Sequence, residues 1–186
     1  MSSLHFRPAT ADDARFVARH VLEALHWHMY EVPLSAAQTQ AWDELTEVCR
    51  RDDVLYSHRH ALLAEIDGEP MGLILAYDGA HYHSLRTRTF ALLPAFAGMD
   101  VDSMEDEATV GEYYIDSLAV APKARGRGVG RALLAQAVQR AARLQLRPTL
   151  LVDPDNPEAR RLYAAAGFRE NGSVTAFGQT YLRMQH

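Results

Sequence analysis

The stretch Val120-Ala-Pro-Lys-Ala-Arg125-Gly126-Arg127-Gly128-Val129-Gly130-Arg131-Ala132-Leu133-Leu134 constrains this chain more than any other. An apolar run from Ile115 to Val120 stops at Pro122, and a helical pattern begins near Gly128. Between them glycines stand at every second position, with arginines interleaved. Glycine adopts backbone angles closed to other residues, and without a Cβ it lets a ligand approach the amides. A strand feeding such a turn and then a helix aims unpaired N–H groups, and the positive end of the helix dipole, at one point in space. That arrangement binds phosphate.

The spacing narrows the kind of loop. The dinucleotide fingerprint Gly-x-Gly-x-x-Gly fails because the third glycine, Gly130, comes one residue early. No Gly-Lys-Ser/Thr follows, which excludes a nucleoside-triphosphate loop. What remains is Arg-x-x-Gly-x-Gly at Arg125, Gly128 and Gly130. On these residues alone a plain glycine-rich turn, or a basic Arg-Gly-Arg patch against nucleic acid, stays open.

Charge weighs against nucleic acid. The chain carries 19 Lys and Arg against 24 Asp and Glu, a formal charge of −5, whereas binding to a phosphate backbone is driven by clustered cations. An acidic chain suits a cationic substrate such as an amine. With 186 residues, 48% of them hydrophobic, residues 1–186 are expected to form one domain with a substantial core. Cys49 is the only cysteine, so no internal disulfide and no cysteine-based zinc site is expected. His5, Arg7, Asp12 and Asp13 leave no room for the apolar centre of a secretory signal. No apolar run approaches the ~20 residues of a membrane span, and the expected location is the cytoplasm.

Element by element, Leu4 to Pro8 reads as a first strand and Thr10 as a helix N-cap, with apolar residues at helical spacing from Phe16 to about Met29. Ser35 is expected to cap a second helix reaching Arg51. Ala61–Ile66 and Met71–Tyr77 flank Asp67-Gly68, a strong hairpin signal. Residues 78–111 are irregular: an aromatic-rich piece, His81 to Phe96, and an acidic loop, Asp100 to Glu107, suggest a helix and a mobile lid. Glu112–Val120 is a buried central strand, Thr149–Val152 the next. Asn156 caps a helix over Pro157–Ala166 that Gly167 stops. Asn171-Gly172 allows a turn before a last strand, Thr180–Met184. Antiparallel strands first and β-α-β-α-β after predict a mixed α/β sheet.

Three pieces in order carry a family resemblance over residues 112–168. They are the strand Ile115-Asp-Ser-Leu-Ala-Val120, the loop Arg125 to Gly130, and Asn156-x-x-Ala159-x-x-Leu162-Tyr163-x-x-x-Gly167-Phe168. Together they resemble the GNAT superfamily of acetyl-CoA-dependent N-acetyltransferases. The resemblance implies a mostly antiparallel sheet, flanked by helices and splayed open between the strands at 115–120 and 149–152. It further implies that acetyl-CoA lies in that splay as co-substrate. Its holders would be Leu118, Ala119 and Val120, the loop residues Arg125, Gly126, Arg127, Gly128, Val129, Gly130 and Arg131, and Asn156 and Tyr163 on the later helix.

The chemistry demanded is acetyl transfer from a thioester to an amine. The exposed N–H of Leu118 is a candidate to polarise the thioester oxygen. Tyr163 is by position the family's usual proton donor, and a phenol with a pKa near ~10 stays protonated until charge builds on sulfur. For the base, Asp116 and Glu112 stand four residues apart on one strand and so face one side. Either could take the amine proton. Asp153 and Asp155 read as turn and cap residues. Three His-x-His pairs, His26/His28, His58/His60 and His81/His83, invite a metal, but none has a third ligand at a clear spacing and the reaction needs none. His81, Tyr82 and His83, or Trp27, Tyr30 and Trp42, are candidates for the acceptor pocket.

The expected function is direct transfer of an acetyl group to a primary amine of a small molecule. A protein N-terminus or lysine as acceptor, and a non-catalytic acyl-CoA sensor, are the competing readings. No nucleic-acid or membrane partner is expected, and a homodimer is allowed.

Overall fold

Alternation along two neighbouring strands sets the architecture. The strands β2 (Ala61–Ile66) and β3 (Glu69–Asp78) form a hairpin across Asp67-Gly68, whose φ values of 54° and 82° are both positive, as a tight two-residue turn matching strand twist requires. On β3, Leu73 and Leu75 enter one core while Ile74 and Ala76 enter another. A sheet with two apolar faces must be covered on both. The computed structural model, which describes residues 3–186, shows how. Helices α1 (Ala14–Ala24), α2 (Ala36–Cys49) and α3 (Tyr82–Ala91) supply the first face, through Val17, Val21, Leu45, Val48 and Phe90. Helices α4 (Val129–Leu144) and α5 (Pro157–Ala165) supply the second, through Val129, Leu133, Leu134 and Leu162. Gly72 lets α4 lie close on β3, since a Cβ there would sit 3.1 Å from Val129 Cγ1 and 3.2 Å from Leu133 Cδ1.

The remaining strands are β1 (Leu4–Pro8), β4 (Glu112–Val120), β5 (Arg147–Val152), β6 (Arg169–Ala176) and β7 (Gln179–Gln185), giving a seven-stranded sheet in the order β1-β2-β3-β4-β5-β7-β6. Every neighbouring pair is antiparallel except β4 and β5. The expected mixed, mostly antiparallel α/β sheet is what the chain builds.

Two irregularities in β4 shape the middle of the sheet. Against β3, Leu75 pairs with Ser117 and Ala76 with Ile115, so Asp116 is an extra residue, a β-bulge. A bulge shifts the alternation by one. Tyr113 and Ile115 before it, and Leu118 and Val120 after it, therefore all pack toward α4. Against β5, pairing runs only from Glu112 opposite Arg147 to Ile115 opposite Leu150. Beyond Ile115 the two strands part, and β5 continues on its other side with β7. That parting is the splay.

Two expectations need correction. The first helix stops at Ala24 rather than near Met29. His26, at φ 62°, turns the chain left-handed, with its N–H on Glu23 O at 3.1 Å and the Trp27 N–H on Leu22 O at 3.0 Å; this is a Schellman termination with histidine where glycine is usual. Asn171-Gly172 is not the hairpin turn. It falls within β6 at a register shift, and the turn is Phe177-Gly178, with φ 51° and 76°. Residues 78–111 hold the expected helix, α3, whose Arg86 is 1% exposed and fastens the loop that follows. Its Nη1 donates to Met104 O at 3.1 Å and Glu105 O at 3.0 Å and pairs with Asp106 Oδ1 at 3.1 Å. A single buried arginine in an irregular segment has no periodic signature in the sequence.

Candidate active site

The glycine loop opens the site. Gly126 and Gly128 hold φ of 72° and 80°, where a branched side chain is strained. Gly128 is the N-cap of α4 and has no side chain to cap the first-turn N–H groups. Arg127 and Arg131 are exposed and form no ion pair among the described residues. Arg125 behaves differently. Its Nε donates to Val120 O at 3.0 Å and its Nη2 to Glu23 Oε1 at 2.7 Å, which ties the loop to the end of β4 and to α1. A Cβ on Gly130 would meet Leu162 Cδ2 at 3.6 Å and Val120 Cγ2 at 3.7 Å, ordinary contacts, so the protein alone does not require glycine there.

Below the loop lies a cleft of about 720 Å³ in the gap between β4 and β5. Leu118, Ala119, Val120, Gly130, Asn156 and Tyr163 line it toward the C-terminal end of β4. Toward the other end the walls become Tyr56, Tyr82, Phe90, Glu107, Tyr114, Asp116, Phe177 and Tyr181.

Asp116, on the bulge, borders this cleft. The Tyr77 hydroxyl donates to its Oδ2 at 2.6 Å and the Ser117 hydroxyl to its Oδ1 at 2.9 Å. Burial, and then the negative charge of Glu107, push its carboxyl up to about 7, against the opposing pull of those two hydrogen bonds. Tyr163 comes from α5, whose start is fixed by Pro157 and by Asn156 Oδ1 accepting from the Ala159 N–H at 3.0 Å. Burial pushes its phenol up to about 12, and its hydroxyl has no hydrogen-bond partner among the described residues, although its ring packs edge-on to Phe168 at 6.2 Å. One carboxyl with a raised pKa and one unengaged phenol thus face the same space.

Glu112 stands elsewhere. Its Oε2 accepts from Arg183 Nη2 and from the Thr109 N–H at 2.9 Å, and it does not line the cleft. Trp27, Tyr30 and Trp42 are also outside it. The Tyr30 hydroxyl bonds His20 Nε2 at 2.8 Å, and Trp42 Nε1 donates to Arg15 O at 2.8 Å. Of the aromatic-rich piece, Tyr82 enters the cleft, while His81 lines a separate cavity on the α4 side and His83 contacts Asp106 Oδ1 at 3.2 Å. His58 and His60 bond the carbonyls of Cys49 and Leu55 at 3.0 and 2.9 Å. Among the described residues no three His, Cys, Asp or Glu are grouped as a metal would need.

Glu107 was legible only as part of an acidic loop. Its Oε2 accepts from the Tyr114 hydroxyl at 2.6 Å and its carbonyl from Arg183 Nη1 at 3.2 Å. With Arg86 holding residues 104–106, these bonds set the Glu107 carboxylate on the cleft wall.

A mostly antiparallel sheet that parts between two parallel strands is the fold of the N-acetyltransferases. An N-acetyltransferase from Staphylococcus aureus Mu50 superposes with a TM-score of 0.80 at 22% identity, covering 98% of this chain and 100% of that one. A second solved acetyltransferase gives 0.74 at 30% identity over 97% of each chain. The model of the acetyltransferase (GNAT) family matches residues 20–168, and the chain belongs to that family. A curated relative, the mycothiol acetyltransferase of Kineococcus radiotolerans, is 43% identical over 76 residues, 41% of this chain and 23% of that protein. The chain thus matches less than a quarter of that relative's length.

Proposed function

We propose that this protein moves the acetyl group of acetyl-CoA to a primary amine of a small molecule by direct attack, with Asp116 as base and Tyr163 as acid. The observation that carries the reading is that these two groups, with pKa values pushed to about 7 and about 12, border one cleft. A pair of titratable groups with well-separated pKa values is the signature of acid–base assignment.

The residues fit acetyl-CoA. Uncapped N–H groups at the start of α4, with exposed Arg127 and Arg131 beside them, suit a pyrophosphate. From Asp116 onward β4 has no strand partner on the gap side, so its backbone can pair with an extended, amide-bearing arm. When bound, acetyl-CoA supplies an acetyl thioester whose C–S bond breaks as the amine N–C bond forms. Asp116 takes one proton from the arriving ammonium and releases it later to solvent. The Leu118 N–H, on the part of β4 that has no partner on the β5 side, would polarise the thioester carbonyl oxygen. Tyr163 gives its proton to the departing sulfur and recovers one from the amide nitrogen. A small molecule suits the cleft better than a polypeptide, because Phe177 on the β6–β7 turn packs against Phe90 and Phe96, at 5.6 and 5.9 Å, and walls it.

Acetyl-CoA at about 100 times its dissociation constant is expected to stabilise the fold by about 2.7 kcal/mol, or roughly 5–10 °C in melting temperature. Gly128→Val is expected to abolish the shift, because a branched residue strains the left-handed N-cap and covers the amides. Thiol release with a panel of amines then separates a transferase from an acyl-CoA sensor. No shift with any acyl-CoA would sink the reading.

Glu112 is assigned to structure. Glu112→Gln breaks its pairing with Arg183, so it should lower stability by about 3 kcal/mol while leaving the pH dependence of turnover as it was. A displaced pH profile with unchanged melting would return Glu112 to the chemistry.

A further inference from the structure

We infer that the acceptor is an aryl-bearing or otherwise lipophilic primary amine that enters as a cation and carries no anionic group, and that Glu107 is the residue that selects it. The inference rests on the transferase reading of the cleft and names the substrate class of that site. Past Asp116 the walls are rings: Tyr56, Tyr82, Phe90, Tyr114, Phe177 and Tyr181. Two carboxylates, Asp116 and Glu107, sit among them, and neither forms an ion pair with a Lys, Arg or His among the described residues. Glu112, close by in sequence, shows the contrast, since Arg183 neutralises it. The basic side chains that line the cleft are Arg125 and His26. Both come from the loop and α1 side, and Arg125 is already committed to Glu23.

The acceptor end is therefore aromatic and acidic with no counterion of its own. A carboxylate held among apolar rings is costly until a cation joins it, and the π-faces around it also attract an ammonium. A carboxylate or phosphate on the acceptor would meet two like charges. The two acids divide the work. Asp116 exchanges a proton. Glu107, held on the cleft wall by the Tyr114 hydroxyl at 2.6 Å, attracts the ammonium. Its charge also raises the basicity of Asp116, so one residue serves capture and tunes the base.

Three probes share one skeleton: phenethylamine, phenylalanine, which adds a carboxylate, and 2-phenylethanol, which lacks the cation. Calorimetry on the full chain should show phenethylamine binding at least tenfold more tightly than either of the others. Glu107→Gln retains an acceptor for Tyr114. It should raise KM for phenethylamine at least tenfold with kcat within threefold, narrow the gap to phenylalanine, and move the acid limb of the rate profile to lower pH. Glu107→Asp should recover part of the loss. Equal binding of phenylalanine and phenethylamine, or an unchanged KM in Glu107→Gln, overturns the inference and leaves the transferase reading standing. Selective binding of phenethylamine without thiol release from acetyl-CoA supports the amine selectivity assigned to Glu107 and overturns the transferase reading.

Discussion

Asp116→Asn is expected to lower kcat by about 10²–10⁴-fold, the usual worth of a positioned general base, with acetyl-CoA affinity nearly unchanged. The wild-type rate should climb with pH through about 7, where the Asp116 carboxyl loses its proton, and the variant should lose that limb. The same substitution has a second, opposite effect. Asp116 has a folded-state pKa above its usual carboxylate value, so between the two the folded chain holds more protons than the unfolded one. Stability then falls as pH rises from the carboxylate range to about 7 and stays low above it. Asparagine carries no charge to bury. Asp116→Asn should therefore melt higher than wild type at pH 8, and the two should converge in acid. A slower enzyme that is also a more stable one would identify a residue kept for chemistry at the expense of the fold. An unaltered pH profile would place the base elsewhere.

Tyr163→Phe should lose at least tenfold in kcat and change melting little, because the hydroxyl it removes has no protein partner to leave unsatisfied. The ring and its contact with Phe168 remain. A phenol raised to about 12 by burial stays protonated at the start of the reaction and yields its proton only when sulfur becomes a strong base, which suits a donor in the slow step. If kcat falls less than about threefold while chemistry limits the rate, Tyr163 is a wall and the sulfur is protonated by water. A melting temperature several degrees lower would mean that the hydroxyl supports the fold.

What the sequence disclosed and what it hid have physical reasons. The loop from Arg125 to Gly130, the hairpin at Asp67-Gly68 and the cap at Asn156 are local devices, each specified by residues within one turn of one another. The sheet opening follows from the same pattern, because the family resemblance rests on the strand that borders it. The role of Arg125 was hidden because its partner, Glu23, is about a hundred positions away. Glu112 and Asp116 look equivalent at strand spacing. The bulge and Arg183, a residue from β7, make them different. Glu107 lay in an acidic stretch whose conformation depends on buried Arg86 and on Tyr114, contacts that no periodicity reports. Helix α1 was read too long because histidine carries no strong stop signal, yet His26 ends it.

The buried Arg86 has a consequence for how acceptor preference can change. It fastens residues 104–106 by backbone carbonyls and one carboxylate, so their positions are largely independent of which side chains that loop displays. Tyr82, Phe90 and Glu107 all come from residues 82–107, the portion that contains Arg86 and the loop it holds, whereas the glycine loop, Asp116 and Tyr163 come from the strand and helices after it. Substitutions within 82–107 can therefore reshape one wall of the amine pocket while the glycine loop and Tyr163 stay in place. Transplanting residues 82–107 between relatives of this fold should carry part of the amine preference with it, while the part set by Tyr56, Tyr114, Phe177 and Tyr181, and the acetyl-CoA affinity, stay with the recipient.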